Sequence, residues 1–76
     1  MERLVLRADE RTALQRYAKQ TTRAPQLAIR AQIVLACAEG RLNGQVARDL
    51  GVSIQMVGRW RRRFVQERLQ GLEAPP

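Results

Sequence analysis

The order of apolar and polar residues predicts a chain of short helices. Apolar side chains recur three and four residues apart, which places them on one face of an α-helix, and no stretch shows the alternation of a strand. The first helix is predicted over residues 8–20, where Leu14, Tyr17 and Ala18 share a face. Its acidic residues fall in the first turn and its lysine in the last, an arrangement that suits the helix dipole.

The second helix is predicted from residue 25 or 26 to residue 39. Pro25 suits its first turn, because the prolyl ring presets the backbone angle φ and no N–H is needed there. Gly40 is expected to end the helix, since glycine adopts the left-handed conformation without strain. The apolar stripe of this helix consists of Leu27, Ala31, Val34, Leu35 and Ala38.

Two further helices are predicted on either side of a short turn. The third covers residues 44–50, with Asn43 as its N-cap. The fourth runs from residue 54 to residue 67 or 69, with Ser53 as its N-cap. The buried face of the fourth helix is expected to consist of Val57, Trp60 and Phe64.

Residues 43–67 meet the steric requirements of a helix-turn-helix. A small residue is needed where the two helices cross, and Ala47 supplies it. Four positions later the turn needs a residue that tolerates a positive φ, and Gly51 supplies it. The predicted fold class is all-α, a small bundle of three to four helices. Its predicted core consists of Leu14, Tyr17, Leu27, Val34, Leu35, Ala47, Leu50, Val52, Val57, Trp60 and Phe64.

The outward side of the fourth helix is the candidate DNA-reading surface. At about 100° per residue, the side chains opposite Val57 are those of Gln55, Arg59, Arg62 and Gln66, with Gly58 at the edge. Residues near the N-terminus of a recognition helix usually touch base edges, where Arg pairs with guanine and Gln with adenine. The candidate base contacts are Ser53, Ile54, Gln55, Gly58, Arg59 and Arg62.

The charge of the chain points to a polyanionic partner. The 76 residues carry 14 Lys+Arg against 7 Asp+Glu, a net charge of +7, and a pI near 11.5. Small domains of this basicity usually bind polyanions. Guanidinium groups bind phosphate with two parallel hydrogen bonds, and such contacts position a protein on DNA without reading sequence. The candidate phosphate contacts are Arg41, Arg48, Arg61 and Arg63.

The composition also argues against other classes of protein. A chain this short forms one domain, which excludes a large enzyme with a separate substrate domain. With no histidine and with Cys37 as its one cysteine, the chain cannot form an internal disulfide or a Cys–His zinc site, and Cys37 is expected to be buried. No apolar run approaches the roughly 20 residues of a membrane span. We therefore expect no metal, cofactor, small-molecule substrate or membrane partner.

Four segments of the chain carry a more specific pattern: residues 6–14, 30–40, 43–53 and 57–72. The most distinctive run is Trp60-Arg61-Arg62-Arg63-Phe64 followed by Gly71-Leu72. Together these segments resemble the N-terminal DNA-binding region of bacterial insertion-sequence transposases in the mariner-like superfamily. The resemblance implies a homeodomain-like or paired-like domain that binds the terminal inverted repeats of a mobile element. It places the catalytic DDE domain of such a transposase outside this chain, so the chain itself is not expected to be an enzyme.

These observations predict a DNA-binding domain over residues 1–70 and the start of a linker over residues 71–76. The expected partner is double-stranded DNA in the bacterial cytoplasm, which places the bound chain on the nucleoid. Whether the chain acts as a monomer or a homodimer stays open. Two alternatives also stay open: a small helix-turn-helix transcription regulator, and a protein-interaction module. Exposure of Ile54 and Met56 would favour the second.

Overall fold

Residues 4–73, the part of the chain that the computed structural model describes, form five helices and no strand. They are α1 (Ala8–Ala18), α2 (Pro25–Ala38), α3 (Asn43–Leu50), α4 (Ile54–Glu67) and α5 (Leu69–Glu73). The all-α prediction is confirmed. The first helix ends two residues earlier than predicted, because its last turn tightens: the N–H groups of Lys19 and Gln20 donate three positions back, to the carbonyls of Arg16 and Tyr17.

Helix α2 lies at the centre of the molecule. It packs against α1 and also contacts α3, α4 and α5. Gln32 donates a hydrogen bond from Nε2 to the carbonyl of Ala18 at the end of α1, over 3.1 Å. Arg30, two residues earlier, lies over the ring of Trp60 in α4, 4.1 Å from its centroid. Two residues correspond to about 200° around a helix, so α1 and α4 lie on nearly opposite sides of α2.

The buried core contains the apolar faces of all five helices. Six of the predicted core residues are buried: Leu14, Val34, Ala47, Val57, Trp60 and Phe64. The other five are partly buried against them: Tyr17, Leu27, Leu35, Leu50 and Val52. Tyr17 keeps its hydroxyl at the surface, where it donates to Glu73 Oε1 over 3.1 Å. Cys37 is buried as expected, and this burial raises the pKa of its thiol.

The turn between α3 and α4 forms as predicted. Gly51 adopts φ 70° and ψ 35°, the left-handed conformation that ends α3. The hydroxyl oxygen of Ser53 accepts a hydrogen bond from the N–H of Met56 over 3.1 Å, so Ser53 is the N-cap of α4. Gly40 likewise follows α2 with φ 89°. These three predictions are confirmed, because each rests on local backbone geometry that the residue type decides.

The prediction that Asn43 caps α3 is wrong. Asn43 is the first residue of the helix, and the N-cap is Leu42. The N–H of Leu42 donates to Gln45 Oε1 over 3.2 Å, and Leu42 has no side-chain oxygen to accept from the first turn of the helix. The side chain of Asn43 has a tertiary partner instead: its Oδ1 accepts a hydrogen bond from Arg61 Nη1 over 3.3 Å. Asn43 therefore joins α3 to α4.

The described fold continues beyond residue 70, further than the sequence indicates. A linker was expected from residue 71, yet Gly71 and Leu72 lie in α5 and are buried. Gly71 permits this because it packs closely on α4: a Cβ at this position would lie 2.9 Å from the Cβ of Glu67. The expected boundary at residue 70 therefore falls inside a packed helix. Residues 74–76, the rest of the expected linker, lie outside the described part of the chain.

Candidate nucleic-acid interface

The exposed face of α4 is set by two local features. The Ser53 cap fixes where the helix begins, and the burial of Val57, Trp60 and Phe64 fixes which side turns inward. Four side chains on the opposite side are exposed: Gln55, Arg59, Arg62 and Gln66. They are the four residues that the helical spacing predicts for this face. We call this surface the α4 face.

Arg59 and Arg62 lie on the α4 face without a bonding partner among the described residues. Within residues 4–73, neither guanidinium forms a hydrogen bond, an ion pair or a ring contact. They stand three residues apart, or about 4.5 Å along the helix axis. Each guanidinium offers five N–H donors in a planar fork, which matches a guanine edge or a phosphate. The α4 face therefore presents two cations whose hydrogen-bonding capacity the protein itself does not use.

Arg61 and Arg63, on the flanks of the same helix, bind the protein itself. Arg61 is half-buried and donates to Asn43 at the start of α3. Arg63 donates from Nε to the carbonyl of Gly71 over 2.7 Å, and the same nitrogen lies 3.8 Å from Glu67 Oε2. The phosphate contact expected of Arg63 stays a prediction, because the hydrogen bond to Gly71 engages only the Nε of its guanidinium. Its observed role is to hold α5 against α4, with 26% of its side chain exposed.

Arg30 is a structural cation that the sequence analysis missed. Its guanidinium stacks on Trp60, and its Nη1 donates to the carbonyl of Leu72 over 3.1 Å. Burial lowers the pKa of Arg30, and the positive charge of Arg63 adds to the effect. The sequence offers one indication of this role: Arg30 is the one basic residue in α2, the most apolar helix. Trp60 thus lies in the core, with an arginine stacked on its ring.

The remaining base-contact candidates lie around the start of α4. Ser53 and Ile54 are exposed, and 57% of Ile54 is accessible to solvent. Gly58 is half-buried beside α3, and a Cβ there would lie 3.8 Å from Asn43 Nδ2, an ordinary contact distance. Met56 is also half-buried, in a cleft between α2 and α4. Of the two residues whose exposure would favour a protein-docking role, only Ile54 is exposed.

Arg41 and Arg48 lie on the α3 side of the helix-turn-helix. Arg41 forms an ion pair with Asp49, and 42% of each side chain is exposed. Such a surface pair contributes about 0–1 kcal/mol, so a phosphate competes readily for the guanidinium. Arg48 is exposed and has no partner among the described residues. Both cations are therefore available beside the α4 face.

Comparison with known protein families finds a match that covers most of the chain. Residues 24–73 match the homeodomain-like domain. The chain belongs to the homeodomain-like helix-turn-helix family. The match begins directly before α2 and ends with α5, so α1 lies outside the homeodomain-like part. The search of curated proteins finds no match, and the search of solved structures finds none either.

Membership in the homeodomain-like family points to DNA binding. In a helix-turn-helix the second helix lies in the major groove and the first crosses the backbone, and in this chain those helices are α4 and α3. No group of three His, Cys, Asp or Glu side chains within residues 4–73 is placed to hold a metal ion. Of the helices described here, none is both long enough and apolar enough to cross a membrane.

Proposed function

We propose that the chain binds double-stranded DNA sequence-specifically by inserting α4 into the major groove. The proposal rests on the difference between arginines that bind groups of the protein itself and arginines that do not. Arg30, Arg61 and Arg63 bind to the protein's own carbonyls, amide and aromatic ring. Arg59 and Arg62 have no partner in the described part of the chain and share one exposed face. Because the protein does not use these two cations for its own fold, their binding capacity is available to a ligand.

Base edges are read from the first half of α4. Gln55 and Arg59 lie one helical turn apart on the exposed side, where Gln suits adenine and Arg suits guanine. Ser53, Ile54 and Gly58 surround them at the N-terminal end, and Ile54 offers an apolar contact to a thymine methyl group. Arg62 follows one turn later, within reach of a base or a phosphate.

Phosphate contacts position the helix in the groove. Arg48 and Arg41 supply them from the α3 side, and Arg61 adds a partly buried cation on the flank of α4. Such contacts release counterions, so the affinity falls steeply with salt. Arg63 adds a second half-buried cation, whose Nε is bonded to Gly71.

The target that we propose is the terminal inverted repeat of a mobile element. This part rests on the resemblance of residues 6–14, 30–40, 43–53 and 57–72 to insertion-sequence transposases. The most distinctive run, Trp60 to Phe64 with Gly71-Leu72, has a structural reason: Arg63 binds the Gly71 carbonyl and Arg30 binds the Leu72 carbonyl. These two contacts hold α5 in the fold, and within the run only Arg62 lies on the α4 face.

Selection of bound duplexes from a random pool tests the proposal. We expect one enriched motif, and an affinity for it that falls linearly on a log–log plot against salt. The motif is then compared with the DNA around the gene. A match to a pair of flanking inverted repeats supports the transposase, whereas a match in one promoter supports a regulator. Absence of binding at low salt, about 50 mM, would overturn DNA binding itself.

A further inference from the structure

A second basic surface lies on α1, outside the homeodomain-like part of the chain. Residues 11–38 include five basic residues and no acidic one. Three of the five, Arg11, Arg16 and Lys19, are exposed along α1 and its C-cap. Neither the helix-turn-helix nor the α4 face uses them. We call this surface the α1 face.

Helical geometry places these cations together and away from the core. At about 100° per residue, Lys19 lies about 80° from Arg11, and Arg16 about 60° further. The buried Glu10 and Leu14 lie about 100° and 60° from Arg11, on the side away from Arg16 and Lys19. Arg11 and Lys19 are about 12 Å apart along the axis, so the α1 face is an elongated strip of positive charge.

The three side chains have no partner in the described part of the molecule. No hydrogen bond, ion pair or ring contact joins Arg11, Arg16 or Lys19 to any group within residues 4–73. The one exposed carboxylate of α1, Asp9, lies 3.4 Å from the Nε of Arg7, which offsets its charge. The α1 face therefore attracts anions without a neighbouring acid to compete for its cations.

The α1 face and the α4 face point away from each other. Gln32 and Arg30 show that α1 and α4 lie on nearly opposite sides of α2, and each face is the side of its helix that turns away from the core. The domain measures 28 × 25 × 21 Å. A straight duplex in contact with the α4 face cannot also lie along the α1 face. Contact of one duplex with both faces would need a turn of about 180°, well beyond the bends of about 40–90° over 20–30 bp that cost about 1–6 kcal/mol.

We propose that the α1 face binds the phosphate backbone of a second DNA duplex, so that one domain bridges two duplexes. This rests on the proposed function of the α4 face, which holds the first duplex. Over about 12 Å a duplex carries about seven phosphates on its two strands together, or about three or four on each strand, so the nearest strand matches the three cations. Between the cations the α1 face also carries the exposed Ala8, Thr12 and Gln15. Contacts from flexible cations to phosphates do not read bases, so the second contact is independent of sequence and sensitive to salt.

A bridging assay with the full chain tests this proposal. One duplex of arbitrary sequence, about 30 bp, is fixed to beads, and a fluorescent duplex of the same sequence is added with protein at about 50 mM salt. Wild type is expected to retain the fluorescent duplex on the beads. The triple variant R11Q/R16Q/K19Q is expected to retain about tenfold less, while its Kd for a single duplex changes by less than about threefold. Circular dichroism checks that the variant is folded.

A matched control separates charge from shape. R11K/R16K keeps every charge of the α1 face and is expected to bridge as wild type does, because a point charge suffices for phosphate. If the triple variant bridges like wild type, two duplexes are held by paired chains and the proposal fails. It also fails if bridging and single-duplex affinity fall by the same factor, or if wild type binds one duplex without bridging. If wild type binds no duplex at all, both the proposed function and this inference are wrong.

Discussion

Glu10 and Arg68 form a two-point ion pair that fastens the first turn of α1 to the end of α4. Arg68 Nε lies 2.8 Å from Glu10 Oε2, and Arg68 Nη2 lies 2.5 Å from Oε1. Glu10 is fully buried and also accepts a hydrogen bond from the N–H of Arg7. Arg68 lies over the ring of Phe64 and donates to the carbonyl of Val5. The pair therefore joins α1 and the segment before it to the homeodomain-like domain.

The backbone of Arg68 shows how strongly this position is held. Arg68 adopts φ 59° and ψ −144°, the one positive φ of a residue other than glycine among the described residues. Such a conformation costs about 1–3 kcal/mol and persists only where surrounding contacts impose it. The bonds to Glu10 and Val5 supply those contacts. The turn between α4 and α5 thus depends on a residue of α1.

The first prediction concerns the pH dependence of stability. The hydrogen bonds from Arg68 lower the pKa of Glu10 from its ordinary 4.5, against the opposing effect of burial. As pH falls, the unfolded state therefore takes up this proton before the folded state does. The contribution of Glu10 to stability is present above pH 4.5 and is lost as pH falls through the lowered pKa. Urea unfolding at a series of pH values measures this loss.

Glu10→Gln isolates the effect. We expect it to reduce the free energy of unfolding at pH 7 by about 2 kcal/mol, because a buried charge-assisted pair is broken. It should also flatten the pH dependence below pH 4.5. Asp9→Asn is the control, since Asp9 is exposed and a surface ion pair contributes about 0–1 kcal/mol. Equal stability of Glu10→Gln and wild type at pH 7 would contradict the importance of the pair.

The second prediction compares two helical glycines. At Gly58 a Cβ would make an ordinary contact at 3.8 Å, so Gly58→Ala should stabilise the fold by up to about 1 kcal/mol through helix propensity. At Gly71 a Cβ would lie 2.9 Å from the Cβ of Glu67 and 3.1 Å from the Arg63 carbonyl, so Gly71→Ala should destabilise it. Thermal unfolding of both variants measures the difference. Stabilisation by both would show that α5 does not need the close approach at Gly71.

The third prediction separates base contacts from phosphate contacts. Arg59→Ala should cost about 1–3 kcal/mol of binding to the selected duplex and relax the preference at one base pair. Arg48→Ala should weaken binding to all sequences alike and reduce the salt slope by about one. Arg63→Ala should instead lower thermal stability, because it frees the Gly71 carbonyl. Equal losses on selected and random duplexes for Arg59→Ala would rule out base reading by Arg59.

The fourth prediction concerns the two roles of Ser53. Ser53→Ala removes the acceptor for the Met56 N–H and should lower stability by about 1 kcal/mol. Ser53→Asp keeps an acceptor at the N-cap and should leave the stability close to that of wild type. The same Asp places a negative charge at the expected DNA surface, so its affinity for DNA should fall. Unfolding and binding measured on both variants test this, and unchanged binding by Ser53→Asp would place residue 53 away from the DNA.

The sequence by itself determined the helices and the turn of the helix-turn-helix. Apolar spacing located α1 to α4 to within two residues at most ends, and residue type was enough for Gly51 and Ser53. The orientation of the α4 face also follows from spacing alone, because the turn of a helix is constant. All of these depend on residues close together in the chain, which is why local pattern suffices.

Only the tertiary structure decided which charged residues serve the fold. Helical spacing places Arg61 and Arg63 away from the α4 face, but it does not show that they bind Asn43 and Gly71, which lie on other helices. Burial of Leu72 and the Glu10–Arg68 pair, 58 positions apart, likewise required the folded chain. A hydrogen bond between distant segments leaves no periodic signal in either one. It exists only once packing has brought the two groups within about 3 Å.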